Sequence, residues 1–128
     1  MKMEDRLVFE IDGRLFGLST SVVDSVIEVE RVFFLPGRKG IVNGVVSFKG
    51  DPVTVVDARM ALTGGGNKNR ALPQRIIVVR EKNRSIGLDI GTLQAYCLMA
   101  GEQGAGAKPV EDINWIGLFN EAQNILSS

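Results

Sequence analysis

Three places in this 128-residue sequence carry residue types able to do chemistry: Asp57-Ala58-Arg59, the loop Thr63-Gly64-Gly65-Gly66-Asn67-Lys68, and the single Cys97. An aspartyl-phosphate centre at Asp57 would need further acids for Mg²⁺ and a strand end in a parallel α/β sheet. The pattern around it predicts neither. Asp57 reads instead as a helix N-cap, its carboxylate accepting from a free N–H of the next turn. The glycine loop lacks the Gly-x-x-x-x-Gly-Lys-Ser/Thr spacing that cradles phosphate, so it reads as a linker. Cys97 lies in the apolar run Tyr96-Cys97-Leu98-Met99 and is expected to be a buried small hydrophobe. The sequence has no His, which removes Ser–His, Cys–His and His-ligated metal chemistry. No pair of acids is spaced for carboxylate-only hydrolysis. The expectation is a protein that is not an enzyme and takes no cofactor or metal.

Charge is balanced, with 15 Lys+Arg against 15 Asp+Glu, so no global field attracts nucleic acid or an anionic membrane. Its distribution is uneven. Glu4, Asp5, Glu10, Asp12, Asp24, Glu28 and Glu30 form an acidic N-terminal cluster. Between Arg59 and Arg84, Glu81 is the only acid among Lys68, Arg70, Arg75, Arg80 and Lys82. That basic stretch motivates one alternative, a nucleic-acid-binding small β-barrel. It contains no Phe, Tyr or Trp to stack bases, which argues against it. The N-terminus shows no signal-peptide h-region, and no apolar run approaches the ~20 residues needed to span a bilayer. One cytoplasmic domain, residues 1–128, without membrane insertion, is the expectation.

The elements that would position these residues are hairpins. Leu7, Phe9 and Ile11 alternate with acids up to Asp12-Gly13, a tight-turn signal, and Leu15–Leu18 returns. Ser21–Val29 reads as one helical turn, capped by Ser19, Thr20 or Ser21, running into extended chain, before a break at Pro36-Gly37. Val45–Phe48 and Val53–Val56 flank Lys49-Gly50-Asp51-Pro52 as a second hairpin. Asp57 caps a short helix, Ala58–Leu62, and residues 64–73 read as a surface loop. Ile76–Val79 and Ile86–Ile90 form a third hairpin turning near Lys82-Asn83. A strand at Leu93–Met99, a loop at 101–109, a closing strand at Asn114–Leu118 and a short amphipathic helix carrying Phe119, Ala122, Ile125 and Leu126 complete the chain. Hairpins at this regularity predict an all-β barrel architecture.

From Leu7 to about Leu93 the order of motifs resembles the CheW-like family of chemotaxis coupling proteins. That family has a Val-x-Glu-Val segment, here Val26-Ile27-Glu28-Val29. A Gly-Val-x-Asn-Leu-Arg-Gly signature follows, here Gly44-Val45-Val46-Ser47-Phe48-Lys49-Gly50. Then come Pro-Val-Val-Asp-Leu-Arg, here Thr54-Val55-Val56-Asp57-Ala58-Arg59, and a late Gly-Leu, here Gly87-Leu88. Lys49 stands where the family has Arg, Thr54 where it has Pro, and the late Val-Asp pair falls on Ile90-Gly91. The resemblance implies two small SH3-like five-stranded β-barrel subdomains sharing one core, with short helical turns. It also implies a non-catalytic adaptor coupling a histidine kinase's regulatory domain to a chemoreceptor's cytoplasmic tip.

The resemblance makes Glu28 and Lys49 the partner-binding candidates and pairs them as an ion pair beside the receptor-binding surface. Lys in place of Arg keeps the charge and loses the bidentate fork. Gly44, Gly50, Asp57 and Arg59 are expected to be structural. Gly50 in particular suits a turn that requires positive φ. Trp115 and the apolar residues of 22–29 could serve core or docking surface.

Overall fold

In the computed structural model, residues 4–29, 40–65, 74–102 and 108–127 are described. Strands β1 (Arg6–Ile11) and β2 (Arg14–Ser19) form the first hairpin. Its two loop residues, Asp12 and Gly13, both take positive φ, 50° and 82°. This mirror-image turn matches the right-handed twist of the strands it joins. A tight turn follows, with Val22 N–H donating to Ser19 O and Val23 N–H to Thr20 O. The helical turn expected at Ser21 is therefore a reverse turn, and β3 (Val23–Val29) starts at once.

The second hairpin pairs β4 (Val42–Phe48) with β5 (Asp51–Asp57). Its loop is only Lys49-Gly50, at φ 51° and 82°, with Asp51 and Pro52 already in the strand. Helix α1 (Ala58–Thr63) stops where Gly64 takes the left-handed conformation at φ 77°, its N–H donating to Met60 O. The third hairpin joins β6 (Gln74–Glu81) to β7 (Arg84–Gly91), and β8 (Tyr96–Leu98) and β9 (Val110–Asp112) follow. Pro36-Gly37 and most of the 64–73 and 101–109 loops lie outside the described residues.

The closing strand expected at Asn114–Leu118 is helical. Helix α2 runs Trp115–Ser127, and Asn114 Oδ1 accepts from Gly117 N–H at 3.0 Å as its N-cap. Trp115-Ile116 looked β-like, but Trp115, Leu118, Phe119, Ala122 and Ile125 repeat at helical spacing and bury one face. Likewise the strand expected over Leu93–Met99 shrinks to three residues.

The strands form two sheets, ordered β8-β1-β2-β9 and β3-β6-β7-β5-β4. Each curls around an interior. Val8, Leu15 and Leu98, with Val110, fill the first. Val46, Phe48, Val53, Val55, Ile76 and Val78, with Ile27 and Val29, fill the second. In both, residues from the two outermost strands meet in one cluster, so the sheet must bend its edges toward each other. Gly17 and Gly87 permit the bend. A Cβ on Gly87 would sit 2.8 Å from Ile76 Cγ2, and one on Gly17 would sit 2.7 Å from Val110 Cγ1. The edges do not pair, so the implied five-stranded barrels are open sheets of four and five strands among the described residues.

The opposite faces of the sheets share a third core. Phe9, Ile11, Phe16 and Leu18 pack with Val42, Val56, Ile77, Val79, Ile86 and Leu88, joined by Trp115 and Ala122 of α2. Strand β6 is thus buried on both faces, which is why Ile76–Val79 reads as a solid apolar run rather than an alternation.

Candidate functional site

The two partner-binding candidates sit at opposite ends of the open seam between edge strands β3 and β4. Register places Glu28 opposite Arg75 on β6, and Arg75 Nε donates to Glu28 Oε1 at 3.1 Å. Lys49, in the β4–β5 turn, instead reaches the start of β3, where its Nζ lies 3.0 Å from Asp24 Oδ1. The expected Glu28–Lys49 ion pair is therefore replaced by two others. The reason is reach: Glu28 lies four residues beyond Asp24 along an extended strand, a run of about 13 Å.

Asp24 is placed for Lys49 by a β-bulge. The pairing of β3 with β6 skips from Val23 to Ser25, so Asp24 is the unpaired extra residue and is re-aimed. Arg80 of β6 joins the group, its Nε 3.6 Å from Asp24 Oδ2, an ion-pair distance too long for a hydrogen bond. That Nε is buried and has no hydrogen-bond partner among the described residues. Both cations also lie over the Phe48 ring, Lys49 Nζ at 5.1 Å and Arg80 Cζ at 5.5 Å from its centroid. The hydrogen bond from Lys49 holds the Asp24 carboxyl below the ordinary carboxylate range. Partial desolvation opposes this, and the charges of Lys49 and Arg80 and the Ser25 hydroxyl assist it. Sequence reading missed Asp24, Phe48 and Arg80 as a unit. The only signal was coarse: an acidic segment and a basic segment separated along the chain.

Those segments meet throughout the fold. Arg59 Nη1 donates to both carboxylate oxygens of Asp12 at 2.8 Å, tying α1 to the first hairpin turn. Arg75 holds Glu28, Arg80 faces Asp24, and Arg84 lies 3.6 Å from Glu81. Four of the cations of the basic stretch, Arg59, Arg75, Arg80 and Arg84, thus face carboxylates, and the nucleic-acid alternative finds no support.

The remaining candidates serve geometry. Gly44 is buried beside Asn43, the extra residue of a bulge in β4, and Gly50 supplies the second positive φ of the turn carrying Lys49. Asp57 Oδ1 accepts from Met60 N–H at 3.2 Å as the cap of α1, so Asp57 and Arg59 have separate partners and form no joint site. The same bulge turns Asn43 toward Asp89, which is 2% exposed. Asp89 Oδ2 accepts from Asn43 Nδ2 at 2.7 Å and from Gln74 Nε2 at 3.2 Å, and its Oδ1 accepts from Gly91 N–H at 2.8 Å. These bonds brace β4, β6 and β7. Cys97, expected to be buried, is exposed, because β8 is an edge strand and only Leu98 turns into the sheet's interior. Trp115 is core, with Arg84 over its ring. No three His, Cys, Asp or Glu side chains gather to hold a metal among the described residues. No described helix is long and apolar enough to cross a membrane.

The fold is a pair of curled sheets about a shared core, with Asp12, Asp24, Glu28 and Asp89 each engaged by a side-chain partner on another element. The CheW-like domain family matches residues 5–97, a span from β1 through most of β8 that takes in the whole second sheet and leaves out β9 and α2. The chain belongs to the CheW-like domain family, a family of non-catalytic chemotaxis coupling proteins. Among solved structures it resembles the scaffolding protein TtCheW from Thermoanaerobacter tengcongensis. The TM-score is 0.65 at 21% identity, covering 79% of this chain and 68% of that one. No curated protein matches the chain.

Proposed function

We propose that this chain is a cytoplasmic, non-catalytic adaptor that holds a histidine kinase's regulatory domain against the cytoplasmic tip of a chemoreceptor. Such a tether raises the local concentration of one partner near the other without chemistry of its own. The observation that carries the reading is the CheW-like match from β1 into β8. The surface around Glu28 and Lys49 is the proposed docking region. Strand β3 is an outer strand of its sheet, Val26 upon it is 43% exposed, and Lys49 projects at its end with a 61% exposed side chain. The absence of chemistry is supported by what the acids do: Asp57 caps a helix, while Asp12, Asp24 and Glu28 face cations.

The test is a pull-down of the cognate kinase regulatory domain and receptor hairpin by the purified protein, followed by titration calorimetry. Saturable binding at micromolar or tighter affinity to both is expected. Binding to neither would refute the reading. A salt-sensitive gel shift with single-stranded nucleic acid would favour the alternative instead.

A further inference from the structure

The first sheet is bounded by two strands of equal length that are held in different ways. β8 pairs with β1 and β9 with β2, three residues each. The side chains of β8, Tyr96-Cys97-Leu98, are uncharged, and Leu98 alone turns inward. β9 turns Val110 inward over Gly17, and its other side chains hold it by charge. Arg14 grips Glu111 with two hydrogen bonds of 2.8 and 2.7 Å, and Arg6 Nη1 lies 2.9 Å from Asp112 Oδ1. Just before the strand, Lys108 Nζ lies 2.9 Å from Glu10 Oε1. Arg14 is set for its grip by lying over the Phe16 ring, 4.9 Å from the centroid. All six side chains are at least 32% exposed, so dissolved ions reach every pair. The ladder beneath them is weak: Pro109 brings no N–H to its start, and parallel pairing is the less stable kind. Firm attachment begins at Ile113, which is 8% exposed and donates its N–H to Gly17 O, and continues through buried Trp115 into α2.

We infer that residues 108–112 are a charge-held strap: they lift off β2 as a unit, hinged at Ile113, while the rest of the domain stays folded, and ionic strength sets how often they do so. Opening frees the β2 edge at Leu15–Gly17 and uncovers the interior around Val8 and Leu15 that Val110 closes. This is local opening of a segment with one inward apolar side chain, well below the free energy of global unfolding. It does not depend on the adaptor reading. β8 is the built-in comparison, an edge strand of the same length in the same sheet with no charge to screen.

The experiment is native-state amide hydrogen exchange of the full chain, followed residue by residue by NMR. It is run at about 0.01 M and about 1 M sodium chloride, between which the screening length falls from roughly 30 Å to 3 Å. The amides through which β9 and β2 pair should exchange roughly three- to thirtyfold faster at high salt, the combined range of three exposed ion pairs. Amides of β8 and of the buried β6 should change less than about twofold. At low salt, Glu111→Gln should speed exchange at β9 roughly two- to fivefold, the range of one such pair. The charge-swapped double variant, Arg14→Glu with Glu111→Arg, should restore protection. Far-UV circular dichroism and Trp115 emission check that each variant keeps the fold. The strap is overturned if the β9 amides open only with β6, in global unfolding, or if salt moves β8 and β9 alike. It is also overturned if Glu111→Gln leaves β9 exchange unchanged. Each of these outcomes leaves the adaptor reading standing.

Discussion

The bend of the second sheet rests on one missing methyl group, and replacing it gives a stability change that can be worked from distances. Gly87 lies on β7 between β6 and β5. A Cβ there would be 2.8 Å from Ile76 Cγ2 and 3.3 Å from Val55 Cγ2. Carbon pairs favour about 3.5–4.0 Å, so the nearer overlap approaches 1 Å. Both neighbours are fully buried, and both are β-branched and stiff at χ1, so neither can swing aside cheaply. Overpacking of this kind costs about 1–3 kcal/mol. The reduced freedom of alanine in the unfolded chain returns about 0.4–1 kcal/mol. Gly87→Ala should therefore be less stable by about 1–2 kcal/mol, a fall in Tm of about 3–8 °C for a domain of this size.

Trp115 is the only tryptophan and is buried in the shared core, so its emission reports urea unfolding directly. Two controls sharpen the reading. Gly17→Ala meets Val110 Cγ1 at 2.7 Å, but Val110 is half-buried on edge strand β9 and can give way, so its loss should be smaller. Gly65→Ala meets nothing closer than Thr63 Oγ1 at 3.3 Å and should stay within about 0.5 kcal/mol of wild type. A Gly87→Ala protein as stable as wild type would refute the account of how the sheet curls.

Other expectations concern charge and reactivity. Asp24 and Glu111 both titrate below their usual range in the folded state, Glu111 chiefly through its hydrogen bond from Arg14. Their contribution is present above the unfolded carboxylate pKa of about 4, and it is lost as pH falls through the lower folded values. Urea midpoints should thus hold down to about pH 5 and then decline, with a gentler decline in Asp24→Asn. Lys49→Glu puts two carboxylates together at the seam, so it should lower the urea midpoint. Adding Asp24→Lys should restore it and adding Glu28→Lys should not; restoration by Glu28→Lys would contradict the observed pairing. Cys97 is exposed, so the native protein should titrate one thiol with an aromatic disulfide reagent without denaturant. Protection until unfolding would place β8 wrongly.

The hairpins were legible because Asp12-Gly13 and Lys49-Gly50 are local signals, whose turn geometry depends on the residues occupying it. Asp57 as a cap was legible for the same reason. What escaped reading depends on distant partners. Asp24 belongs with Lys49 and Arg80 only because a bulge turns it outward and the sheet bends its edges together. Asp89, Asn43 and Gln74 converge from three strands, and nothing in their spacing marks them as one cluster. Cys97 and Trp115 lie in similar apolar runs, yet the first sits on a sheet edge and the second begins a helix seated on the core. Composition cannot distinguish those places. The Glu28–Lys49 pair was carried over from the family pattern, and register gives each residue a different partner.

The central claim is tethering, and it is tested most directly by assembling the three components in solution. Cognate kinase, receptor hairpin and this protein should sediment together as one complex, while kinase and receptor hairpin without it should associate more weakly. The account predicts that adding this chain increases the kinase fraction bound to receptor in a saturable manner. An unchanged bound fraction, with the chain itself bound to neither component, would contradict it.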